Sequence, residues 1–126
     1  MNESMFIHMD AVYNDTLDLN VFQREFHKKY RGLEIRPASD SRQYCLEWRA
    51  VSDRYAFSGM MDRRRVTFVI DCFQSENRER DLAEQILWFR SWFPQHASVI
   101  CGDDSYCRVC EMKEEVDAEA LRVFLS

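Results

Sequence analysis

Between Leu33 and Phe73 the chain alternates apolar and polar residues in short runs, with nothing longer than a turn between them. Residues 33–36 alternate and stop at Pro37, residues 38–42 are polar, and residues 44–51 alternate again around Leu46, Trp48 and Val51. Residues 52–54 make a turn, and residues 55–61 read as a weaker strand. Parallel strands need a crossover of roughly a dozen residues, usually a helix. No stretch here has room for one, so a doubly wound parallel fold is excluded and hairpin-linked antiparallel strands are expected. The strongest strand signal is residues 65–73, RVTFVIDCF. Val66, Phe68 and Ile70 fall on one face, Val69 and Phe73 on the other. Apolar residues on both faces mark a central strand.

The flanks change period. Residues 5–13 mix β-branched, aromatic and Met residues with some alternation and read as a first strand. Asn14, Asp15, Thr16 and Asp18 then supply turn and cap chemistry. Leu19, Phe22, Phe26 and Tyr30 are spaced by three and then four, which predicts an amphipathic helix over 19–30 with Gly32 just past its end. Ser75, Glu76 and Asn77 start a long helix running to about Phe93, where Pro94 closes it. Residues 99–101 are a strand, Gly102 to Ser105 a tight turn, and residues 106–112 a returning strand. Asp117 caps a short last helix over 118–125. The expected order is β-α-β-β-(β)-β-α-β-β-α. It describes one α+β domain over residues 1–126, a mostly antiparallel sheet with about three helices on one face.

Composition narrows the function. Only three Gly occur, which leaves little material for phosphate-cradling loops, and no cofactor motif is present. The net charge of −5 argues against nucleic acid, whose binding needs basic surface. No apolar stretch approaches the ~20 residues of a membrane helix, and residues 1–10 lack the basic and apolar regions of a secretory signal. An odd number of cysteines, five, fits free thiols in a reducing compartment, so a cytoplasmic protein is expected.

The charge is concentrated. Between residues 103 and 119 lie Asp103, Asp104, Glu111, Glu114, Glu115, Asp117 and Glu119 against only Arg108 and Lys113. The other 15 acids and 15 bases cancel, so the whole excess belongs to this segment. It reads either as solvated surface at a helix start or as an acidic patch that steers a basic partner.

Four constellations merit weighing. Cys101, Cys107 and Cys110 with His96 offer soft metal ligands, but the spacing gives only half a zinc knuckle. Residues three apart on a strand diverge, and free Cys is commonly a small buried side chain. His8, His27 and His96, with Asp71, Cys72, Ser58 and Ser75, contain the residue types of a nucleophilic triad without any elbow or oxyanion loop. On the long helix, Leu82, Ile86, Phe89 and Phe93 form the core stripe, while Trp88 and Trp92 form a ridge about 100° away. That ridge is either buried by a neighbouring element or an exposed anchor pair beside Arg90. An exposed pair would be a poor monomer surface, which raises a homodimer. Arg63, Arg64 and Arg65 are either an anion grip or a solvated turn.

The expectation is a non-catalytic, protein-binding domain with no catalytic residue, metal or cofactor. It would bind through Asp103, Asp104, Glu111, Glu114, Glu115, Trp88 and Trp92. Its small acidic profile resembles that of immunity proteins, which neutralise a basic toxin. The order after residue 18 is also similar to that of secretion chaperones that escort an effector, although the first strand departs from it. A zinc-binding or thiol-dependent module on Cys101, Cys107 and Cys110 is the alternative from a different class.

Overall fold

The computed structural model describes residues 4–103, 108–112 and 118–126. Its elements are β1 (Ser4–Met9), α1 (Leu19–Lys29), β2 (Leu33–Pro37), β3 (Tyr44–Val51), β4 (Tyr55–Asp62), β5 (Thr67–Ser75), α2 (Arg78–Arg90), β6 (Val99–Asp103), β7 (Val109–Glu111) and α3 (Ala118–Leu125). The weak strand signal at residues 55–61 is a full strand. The seven strands form one sheet in the order β2-β3-β4-β5-β1-β6-β7, with every neighbouring pair antiparallel. The α+β class, the antiparallel sheet and the element order are those the sequence predicts.

Boundaries differ for local reasons. The first strand ends at Met9 rather than continuing to residue 13, because the chain turns at Asp10 and Val12 and Tyr13 are exposed. The long helix ends at Arg90, three residues before Phe93, in a turn held by Trp92 N–H to Phe89 and Phe93 N–H to Arg90 carbonyls. Within the described residues the returning hairpin strand covers Val109–Glu111, and residues 106 and 107 lie outside them.

Phe73 is the instructive case. Strict alternation places it opposite Phe68 and Ile70, yet it is buried with them. Cys72 adopts φ 54°, and the β4–β5 register shifts between Ala56↔Gln74 and Ser58↔Asp71. One extra residue in β5 thus flips the strand, turning Cys72 outward and Phe73 inward.

The sheet buries one face. Ile7, Trp48, Phe57, Met61, Phe68, Ile70 and Cys101 point from it into the core. From α1, Phe22 and Phe26 answer them, and α2 adds Leu82, Ile86 and Phe89. Phe68 stacks on Phe22 at 5.7 Å and on Phe89 at 4.7 Å between centroids. Trp48 lies over Gly59, where an added Cβ would stand 2.2 Å from the Val69 carbonyl oxygen and 2.7 Å from the indole nitrogen. Only glycine seats that ring.

α1 is capped by Asp18, whose carboxylate accepts from the Asn20 and Val21 N–H groups at 2.9 and 3.0 Å. His27, Lys28 and Lys29 occupy its last turn, where positive charge suits the helix dipole.

Candidate functional interface

The other face of the sheet takes no part in the core. Directly opposed residues in antiparallel strands point to the same side, so the register defines what this face presents. Met60 opposes Val69, Val69 opposes Phe6, Phe6 opposes Gly102, and Gly102 opposes Val109. An apolar row therefore crosses β4, β5, β1, β6 and β7, with Ile100 beside it opposite His8. Met60, Val69, Phe6 and Ile100 are half-buried and Val109 is exposed, and none of them belongs to the core cluster. The Phe6 ring lies against Gly102, where an added Cβ would come within 3.1 Å of it.

Polar pairs border the row. On one side Ser4 donates to Asp71, which opposes Ser58, and Ser58 opposes Arg49. On the other, His8 Nδ1 and Thr67 Oγ1 are hydrogen-bonded at 2.7 Å. At the β3 end Glu47 opposes Met60 and accepts from Arg36 Nε at 2.9 Å and Ser39 Oγ at 2.9 Å. Those donors, Ser39 foremost and then Arg36, hold its carboxyl below the usual range. At the β7 end Glu111 opposes Ile100. An apolar strip with a polar border is the usual layout of a protein-binding surface.

The acidic segment is described only in part. Asp103 ends β6 on the core side of the ladder, opposite Met5, whereas Glu111 belongs to the open face. They therefore do not share one surface of the sheet. Asp104, Glu114 and Glu115 lie outside the described residues, as does Asp117.

The two tryptophans sit between helices. Trp88 lies 4.8 Å from Phe26 and 5.7 Å from Phe22, and Trp92 lies 5.2 Å from Phe22, centroid to centroid. The ridge is what α1 packs on, so Trp88 and Trp92 tie the two helices together rather than standing out as an anchor pair. Arg90 is likewise engaged, donating to the carbonyls of Pro94 at 3.1 Å and Gln95 at 2.9 Å.

The other constellations separate. His8 and Asp71 oppose residues four positions apart on the β1 ladder, about 13 Å along a strand. His27 and His96 are exposed elsewhere. Arg63 donates to the Ser41 carbonyl, and Arg65, at φ 61°, donates to the Leu17 carbonyl at 2.7 Å. Arg63 thus ties this turn to the segment before β3, and Arg65 ties it to the segment before α1. Among the described residues no three His, Cys, Asp or Glu side chains gather as metal ligands, and Cys107 lies outside them. A cleft of about 800 Å³ opens between the end of α1 and the start of α2. Its walls mix Lys29, Arg54 and Arg78 with Glu79, Asp81 and Glu84, and Lys29 already pairs with Glu84 at 3.1 Å.

Of the open-face row, the sequence flags only Val69. Apolar residues on both sides of residues 65–73 signal that Val69 needs a second environment. The row itself depends on β1 lying between β5 and β6, which are far from it in the chain, and cross-strand register is not written in any local pattern.

Fold and surface together define a small α+β domain that covers one face of its sheet and presents the other. No protein-family model, curated protein or solved structure matches the chain. Among the described residues no helix is long and apolar enough to cross a membrane.

Proposed function

We propose that this chain is a non-catalytic binding domain of the immunity or inhibitor kind, which engages a basic protein partner through the open face of its sheet. The observation that carries the reading is the apolar row from Met60 to Val109 with its polar border. Glu111, opposite Ile100 at the row's β7 end, and the acidic excess of the sequence around it support a partner of positive charge. Such charge raises the association rate more than it raises affinity, while the buried apolar contacts hold the complex. A partner that sits on β5, β1 and β6 would reach Val69, Phe6 and Ile100 together.

The test is affinity capture from the source cell or with the products of neighbouring genes. Two variants are compared with the wild type, Val69→Lys in the row and Glu111→Lys at its edge. The expected result is a basic protein retained by the wild type. Val69→Lys should weaken it by at least ~30-fold, the size of a hot-spot loss of about 2 kcal/mol. Glu111→Lys should mainly slow association and reduce its salt dependence. Equal capture by all three chains, each folded by circular dichroism, would remove the open face from the reading.

A further inference from the structure

The β6–β7 ladder sets Cys101 directly opposite Cys110. Opposed residues point to the same side, so both thiols face the helix-covered side of the sheet, Cys101 buried and Cys110 half-buried. The sequence spacing draws attention instead to Cys107 and Cys110, three apart, which a strand would point in opposite directions. The register supplies a different pair, nine residues apart in the chain and adjacent in space.

The kind of pairing matters. Met112 N–H donates to the Val99 carbonyl at 2.8 Å, and Asp103 N–H to the Arg108 carbonyl at 3.2 Å. These hydrogen-bonded positions lie two residues to either side of Cys101 and Cys110, and an antiparallel ladder alternates with period two. Cys101 and Cys110 are therefore themselves a hydrogen-bonded pair, whose Cα atoms stand about 5.5 Å apart. That lies within the roughly 4.4–6.8 Å that a disulfide spans. Opposed Cβ atoms, at about 4.5–5.5 Å, are farther apart than the roughly 3.5–4.5 Å a relaxed disulfide adopts. Closing the bond has to draw the strands together, and a strained bond is easily reduced again.

We propose that Cys101 and Cys110 form a reversible cross-strand disulfide by exchange with a small-molecule disulfide such as oxidised glutathione. Cys110, the more accessible thiol, attacks as thiolate. The glutathione sulfur–sulfur bond breaks, and one glutathione thiolate leaves with the electron pair. Cys101 then loses its proton to solvent and attacks the Cys110 sulfur, expelling the second glutathione thiolate. Two protein thiols become one disulfide, and one glutathione disulfide is reduced by two electrons to two thiols. Burial raises both thiols above their ordinary range, Cys101 up to about 12, so exchange at neutral pH is slow and quickens with alkali. The bond would lock the short hairpin that carries Asp103 and Glu111.

The full chain is equilibrated in glutathione buffers of graded ratio, quenched with acid, alkylated in denaturant and digested without reduction. Trypsin cuts after Arg108, so Cys110 leaves in fragment 109–113 while Cys101 and Cys107 stay together in 91–108. The expected result is a fall from five alkylated thiols to three, with fragment sequencing that places the link on Cys101. The link should persist in Cys107→Ser, vanish in Cys110→Ser and reverse on adding reduced glutathione. A link that sequencing of the wild-type fragment assigns to Cys107 would overturn the proposal. So would a stable glutathione adduct on Cys110, or five thiols alkylated in denaturant after the folded protein has been held in excess oxidised glutathione.

Discussion

The two faces of the sheet are made by the same strands and differ residue by residue. Phe68 and Val69 are adjacent in β5, yet Phe68 is fully buried between Phe22 and Phe89 while Val69 is half-buried in the open row. Gly59 and Ser58 divide in the same way, one under the Trp48 ring and the other opposite Arg49. The covered face is closely packed aromatic surface, where shape decides the energy. The open face keeps its apolar groups only partly covered, in a row that no other element of the described chain packs against as the helices do on the core side. A strand with apolar residues on both sides is thus one stability face and one presenting face, rather than a strand buried in both directions.

Truncation on each side should separate them most widely. Phe68→Ala removes a ring enclosed by three others, Phe22, Phe89 and Phe93, and should cost about 3–5 kcal/mol in urea unfolding. Val69→Thr, beside it on the open face, should change stability by less than about 1 kcal/mol. Equal costs would mean that the row is packed like the core, and the distinction between the faces would fail.

The covered face was the more legible of the two. Helix spacing at Phe22 and Phe26, and alternation at Phe68 and Ile70, identify core residues because each pattern is local. The position of Phe73 was not legible, since a bulge at Cys72 resets the alternation and no local signal announces it. Trp88 and Trp92 were ambiguous for a related reason. A helix wheel gives the angle of a ridge but not the identity of the neighbour that covers it, and here that neighbour is α1. The open row needs the β5-β1-β6 adjacency, which brings residues near 6, 69 and 100 together. The fold class was therefore readable from strand and helix periods, whereas the candidate surface depended on long-range pairing.

The faces should also respond to opposite ends of the pH scale. Behind the covered face, burial raises the Tyr30 hydroxyl and lifts the Cys101 thiol up to about 12 from an ordinary value of 9.0. For a group raised on folding, the stability contribution is complete below the unfolded value and lost as pH rises through the folded one. Under reducing conditions the urea midpoint should therefore hold below pH 9 and fall progressively toward pH 12. Cys101→Ala should flatten the onset of that fall even if it lowers the midpoint throughout, and Tyr30→Phe should flatten its upper part. An unchanged slope in both variants would show that neither group titrates differently in the folded chain.

The smallest effect belongs to the open face. Glu47 is held below its ordinary carboxyl value of 4.5, first by the Ser39 hydroxyl and then by Arg36. For a group lowered on folding, the contribution is present above the unfolded value and disappears as pH drops through the folded one. Its window is thus acidic, beginning near pH 4.5 and extending downward. Glu47→Gln keeps the side-chain shape and its ability to accept from Ser39 but no longer titrates. Its urea midpoint should fall less steeply with acid than that of the wild type and match it closely at neutral pH, because exposed ion pairs contribute little. Midpoints measured between pH 3 and pH 6 decide it. Parallel curves would mean that the carboxylate at the β3 end of the row is held in place by Ser39 and Arg36 without any energetic consequence.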